Sequence, residues 1–151
     1  MFRQFLLLVV VAFLLGGCAV SQNLHHLQMA DMKLSNTCFD MKLGWNVALT
    51  ATETHIDGLI KNNWNTKISD VELWVSLLDS NAETIARKSF FVSGSLAKDE
   101  TTPFSIVLPV RAETGSKLIF TYHYNPHSGG DSDWWMQSFE ANIPMDTEQQ
   151  K

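Results

Sequence analysis

From about Cys38 onward, apolar and polar side chains alternate with period two, and Gly, Pro, Asn and Asp interrupt the alternation at short intervals. That pattern predicts half-buried β-strands joined by tight turns. The clearest run is "DVELWVSLLD": Val71, Leu73, Val75 and Leu77 share one face, with Glu72, Trp74 and Ser76 on the other. "KLIFTYHY" behaves alike, with Leu118, Phe120, Tyr122 and Tyr124 on one side and Ile119, Thr121 and His123 on the other. "MKLGWNVALTATETH" alternates in part (Trp45, Val47, Leu49), and "IDGLIKN" follows before the turn chemistry of Asn62, Asn63 and Asn65. "TIARKSFFVSG" ends at Gly94, "TPFSIVLP" is bounded by Pro103 and Pro109, and "WWMQSFEAN" is the last strand. About seven strands without a sustained helical period predict an all-β, immunoglobulin-like sandwich of two antiparallel sheets over 38–144. A Cys…Trp…Cys signature is absent, so an antibody-type domain is not expected.

Before residue 38 the pattern differs. Phe5 to Leu15 is unbroken apolar behind Met1-Phe2-Arg3-Gln4. Eleven helical residues rise only about 16 Å, roughly half a bilayer's hydrocarbon thickness. A basic tip, a short apolar run and then small residues is the order of a secretory signal peptide. Residues 18–37 show neither strand alternation nor turn punctuation. Leu24, Leu27, Met29, Met32 and Leu34 keep a loose helical spacing, which reads as a tether able to form a short helix against the domain. Residues 145–151, "MDTEQQK", read as a disordered tail.

Leu15-Gly16-Gly17-Cys18 resembles the lipobox of bacterial lipoproteins. The resemblance implies that Cys18 takes a diacylglyceryl group on its sulfur, that 1–17 are removed, and that the new amine is acylated. The mature chain would keep 151 − 17 = 134 residues. Several acyl chains give stable anchoring where one gives only marginal binding. Ala19 stands where the class often places Asp for inner-membrane retention, so in a two-membraned cell the resemblance implies the outer membrane, facing the periplasm. With Cys18 acylated, Cys38 has no intramolecular partner and reads as a small hydrophobe in or beside a strand.

A second resemblance lies in the domain. "IDGLIKN", "VELWVSLLD" and "TPFSIVLP" resemble the FxLYD type of bacterial sandwich domain, with Gly58 and Asn62 on the first strand. Val75, Leu77, Leu78 and Asp79 fall on the naming motif, with aliphatics at both aromatic positions, and Phe104 and Pro109 on the last strand. The resemblance spans roughly 54–125 and implies a bacterial envelope protein without assigned catalysis.

The chain has 151 residues, 45% hydrophobic and 18% charged, enough apolar material for one core. Its formal charge of −5 offers no footprint for a phosphate backbone, so nucleic acid is not an expected partner. No G-x-S-x-G, H-E-x-x-H, C-x-x-C or phosphate-cradling glycine loop occurs, and neither catalysis nor a cofactor is expected.

The surface features that remain point to binding. Trp134 and Trp135 must face opposite ways on a strand, so one is expected inside, and the other either exposed near the "HSGGDSD" loop that contains Ser128 or covered by the N-terminal segment or a neighbouring loop. Trp74 lies on the face of its strand away from the core and either is covered there or marks a contact patch. The leading expectation is an interaction or structural module with an envelope protein partner. A carbohydrate-binding module using Trp134 and Trp135 is the alternative. A metal site from His123 and His127, with Asp131 or Asp133, is the third, although Pro126 breaks any helix that would align the two imidazoles.

Overall fold

The computed structural model describes residues 27–126 and 134–144. Cys18, His25, His26, His127, Ser128, Asp131, Asp133 and 145–151 lie outside the described residues.

Among the described residues, nine strands form two antiparallel sheets. They are β1 (Leu34–Thr37), β2 (Met41–Leu49), β3 (Thr54–Asn62), β4 (Ile68–Leu78), β5 (Thr84–Phe91), β6 (Ser95–Leu96), β7 (Thr101–Leu108), β8 (Lys117–Asn125) and β9 (Trp135–Asn142). One sheet runs β1-β2-β3-β7; the other runs β5-β4-β8-β9, with β6 added at the start of β4. This is the immunoglobulin-like sandwich that the period-two pattern predicts. The two additional strands, β1 and β6, are four and two residues long. Each is too short to show an alternation, and each exists only because a longer strand lies alongside to hydrogen-bond it.

The alternation converts directly into burial. Val71, Leu73, Val75 and Leu77 are fully buried, as are Leu118, Phe120, Tyr122 and Tyr124 across the β4–β8 ladder. Aromatic rings join the sheets: Trp45 lies 4.6 Å from Phe120, Phe120 stacks on Phe139 at 5.1 Å, and Phe90 meets Phe104 at 6.3 Å between ring centroids. Room for this comes from Gly58, which sits between Trp45 and Phe104 in register. A Cβ there would lie 2.3 Å from the Gly44 carbonyl oxygen and 2.6 Å from the Phe104 ring. Asp70 has a positive φ of 54° at the bulge where the β4–β8 register shifts between Ser69 and Glu72. The extra residue keeps both Ile68 and Val71 facing inward although they are an odd number apart.

The boundary expected between tether and domain at Cys38 is corrected by the fold. β1, within the stretch read as tether, pairs with β2 from Leu34↔Trp45 to Thr37↔Lys42. Before it, Met29–Asp31 forms one 3₁₀ turn laid over the outward face of the same sheet. Gly44 is its seat: a Cβ there would come within 2.6 Å of Met29 Sδ and 2.7 Å of Met32 Cγ. Asn46 pins the segment, its Oδ1 accepting from Lys33 N–H at 2.9 Å and its Nδ2 donating to Met32 Sδ at 3.8 Å. Leu59, outward by register beside Gly44, is buried as well. The two methionines thus cover apolar surface that a period-two reading would assign to water.

Candidate functional site

Strand register assembles the outer face of the β5-β4-β8-β9 sheet from residues scattered through the sequence. One row across the four strands is Phe91, Glu72, His123 and Met136; the next is Ser89, Trp74, Thr121 and Ser138; a third is Arg87, Ser76, Ile119 and Glu140. Phe91 and Met136, at the ends of the first row, are exposed. Between them His123 Nε2 lies 2.7 Å from Glu72 Oε2, and Trp134 packs its ring on His123 at 5.1 Å. Desolvation pushes the Glu72 carboxyl up, but contacts with His123, Ser89 and Trp74 together outweigh it and hold the group below the ordinary carboxylate value. The Arg87 guanidinium of the third row sits 4.4 Å over the Trp74 ring of the second, a cation–π contact on a half-buried indole. Thr121 and Ser138 hydroxyls share a 2.8 Å hydrogen bond, and Lys117 pairs with Glu140 at 2.7 Å.

A second constellation occupies the end of the sandwich where β1 turns into β2, β3 turns into β4, and β9 begins. Phe39, Trp64 and Trp135 form a triangle of rings, with centroids 5.3, 5.5 and 6.3 Å apart. Phe39 is 60% and Trp135 41% exposed. Beneath them Tyr124 lies 6.5 Å from Trp64 and stacks near Tyr122 at 6.4 Å. Both tyrosine hydroxyls donate to one fully buried carboxylate: Tyr122 to Asp40 Oδ1 at 2.7 Å, Tyr124 to Oδ2 at 3.0 Å. The Met41 N–H adds a third bond at 2.9 Å. Burial above all, with Asp40 beside both hydroxyls and Cys38 beside Tyr122, pushes both phenols above their ordinary range. Cys38 is half-buried, its thiol free, with Sγ 3.4 Å from Asn36 Nδ2. Buried Asn62 closes the other side, donating to the Thr66, Leu96 and Ala97 carbonyls and accepting from the Trp64 N–H.

The two neighbouring tryptophans therefore do not divide into one inside and one outside. Both are exposed, Trp134 at 56%, and each serves a different surface. The correction has a simple cause. The pair stands where the edge strand β9 begins, with Trp135 in register with Tyr124 but no strand on its other side. Trp74 is neither free nor core, being roofed by Arg87. His123 is engaged with Glu72 and Trp134, while its proposed co-ligands His127, Asp131 and Asp133 lie outside the described residues. Among the described residues no three His, Cys, Asp or Glu side chains converge to hold a metal ion, and no helix is long and apolar enough to cross a membrane. Sequence reasoning did not single out Phe39, Asp40, Trp64, Phe91 or Met136. An acidic residue flanked by apolar ones, as in "CFDM", was the available signal for Asp40; the others depend on register.

No protein-family model matches the chain, and no curated protein matches it. Among solved structures, the chain is similar to the GAE domain of GGA2p from Saccharomyces cerevisiae at 10% identity and a TM-score of 0.44, covering 73% of this chain and 94% of that one. A protein from Archaeoglobus fulgidus matches at 14% identity and 0.36, over 74% of this chain and 99% of that one. A β-glucuronidase from glycoside hydrolase family 2 matches at 10% identity and 0.39, over 64% of this chain. The chain spans only 11% of that enzyme's length, so the likeness extends to one β domain of it.

Proposed function

We propose that this chain is a non-catalytic, lipid-anchored protein of a bacterial cell envelope that works as an interaction module, presenting the outer face of the β5-β4-β8-β9 sheet to a protein partner. The observation that carries the reading is the row Phe91–Glu72–His123–Met136 with Trp134 on His123. Exposed apolar groups flank a half-buried, hydrogen-bonded Glu72–His123 centre there, the composition that protein contacts favour: aromatic and Met anchors around a few fixed polar groups. The anchoring rests on the lipobox at Leu15-Gly16-Gly17-Cys18, and the envelope location on that motif and the FxLYD resemblance. The sugar-stacking alternative is weaker, because Trp134 and Trp135 belong to different surfaces and form no shared platform. Metal binding has less support, since of its four residues only His123 is described and its Nε2 is engaged by Glu72.

Photo-crosslinking in the native cell tests the reading. A photoreactive residue at Ser89, on this face, is expected to give a discrete protein adduct. One at Ala48, exposed on the opposite sheet, is expected to give none. Identical adducts at both positions, or none at Ser89, would remove the interaction role from this face.

A further inference from the structure

We infer that the Phe39–Trp64–Trp135 end of the sandwich rests on the lipid headgroup layer and orients the domain on its membrane; this builds on the proposed lipidation of Cys18. The polar groups behind the rings are already taken, which favours an occupant that meets the rings themselves. Asp40 accepts from two tyrosines and a backbone amide, and Asn62 is spent on three carbonyls and one amide. A sugar would find rings but no free hydrogen-bonding partner among these groups, whereas the headgroup–acyl boundary asks only for amphipathic aromatic surface.

The length of chain leading to the anchor selects a bilayer over other apolar occupants. Nine Cα steps separate Cys18 from Leu27 (27 − 18 = 9), so even full extension reaches only about 32 Å. That is close to the diameter of a domain this size, whose radius of gyration is about 13 Å. The tether therefore keeps the domain within about one domain diameter of the headgroups. Met29 and Met32 dock at Gly44, on the outward face near the middle of β2, which leaves the aromatic end within reach of the bilayer.

Charge agrees with an apolar rather than an electrostatic contact. Lys61 is bridged to Asp99 at 2.9 Å. The exposed charges around that end, Lys67, Lys98, Asp70 and Glu100, balance in sign, and half-buried Lys42 adds one positive charge. Contact should then depend only weakly on salt and on anionic lipid.

The experiment uses the full mature chain, its N-terminal mass determined, reconstituted in phosphatidylethanolamine/phosphatidylglycerol vesicles with or without bromine on the acyl chains. Tryptophan emission in brominated vesicles is expected to fall to about half of that in plain ones, as befits indoles seated at the interface. The double variant Phe39→Ser/Trp135→Ser, its fold checked by circular dichroism, should lose most of that quenching. Ile85→Ser, an exposed apolar site toward the other end, should keep it. A chain bearing the lipid yet equally bright in both vesicles would overturn the inference and leave the anchoring intact. A mass without lipid would overturn both together. A lipid-bearing, unquenched chain whose emission changes with peptidoglycan fragments would reassign the end to sugar.

Discussion

At the end of the sandwich carrying Phe39, Trp64 and Trp135, rings lie outside and polar groups inside; at the opposite end the order is reversed. There Asp79 accepts from the Asn81 and Glu83 amides at the surface, Thr50 accepts from Glu53, and Arg111 donates to the Thr50 carbonyl. Thr54 ties Val110 and Ala112 into the same turn-closing network. Of the seven exposed large hydrophobic side chains among the described residues, five (Phe39, Phe91, Trp134, Trp135 and Met136) belong to the aromatic end or its adjoining face. The difference teaches that the polar end is built only to close turns. The aromatic end carries a buried polar cluster whose main effect is to hold apolar rings in the open, and keeping such a cluster requires that every member be satisfied.

The largest test of this contrast is Asp40→Ala. It leaves two buried hydroxyls and an amide without their acceptor, and should cost about 3–5 kcal/mol in denaturant unfolding. If it costs no more than a turn residue at the other end, the contrast fails. Next comes alkaline pH. Folding raises both phenols above their ordinary value, so the stability they contribute is fully present below about pH 10 and is lost as pH rises toward the folded values. With both groups held protonated, stability should fall by about 2.7 kcal/mol per pH unit above 10. The chain's two tyrosines are these two. Tyrosinate absorbance should therefore appear only together with unfolding, and its appearance in the folded protein would contradict the buried cluster.

A smaller effect is expected from Asp79→Ala at the polar end. Two exposed turn bonds are lost there, worth about 1 kcal/mol, measurable as a shift in the urea midpoint without a change in slope. Smallest is Glu72→Gln on the outer sheet face. The lowered Glu72 value contributes stability that is present above its unfolded value and lost as pH falls through the folded one. Removing it should cost less than about 1 kcal/mol at neutral pH and flatten the acid limb of the stability curve.

The alternation of apolar and polar residues in 71–77 and 118–124 determined strands and inward faces, because a strand's two faces are written one residue apart. Turn residues such as Asp79 and Asn81 likewise marked where strands stop. Only the tertiary structure decided what lies across from what. The bond between Asp40 and Tyr122 spans 82 positions, and Phe91 reaches Met136 only through two intervening strands. The Met29–Met32 strap was equally illegible, since its loose spacing acquires meaning only when Gly44 offers a seat on the outside of a sheet. Local chemistry is periodic and can be read along the chain. Pairing between distant strands depends on register and sheet order, which no single stretch of sequence carries.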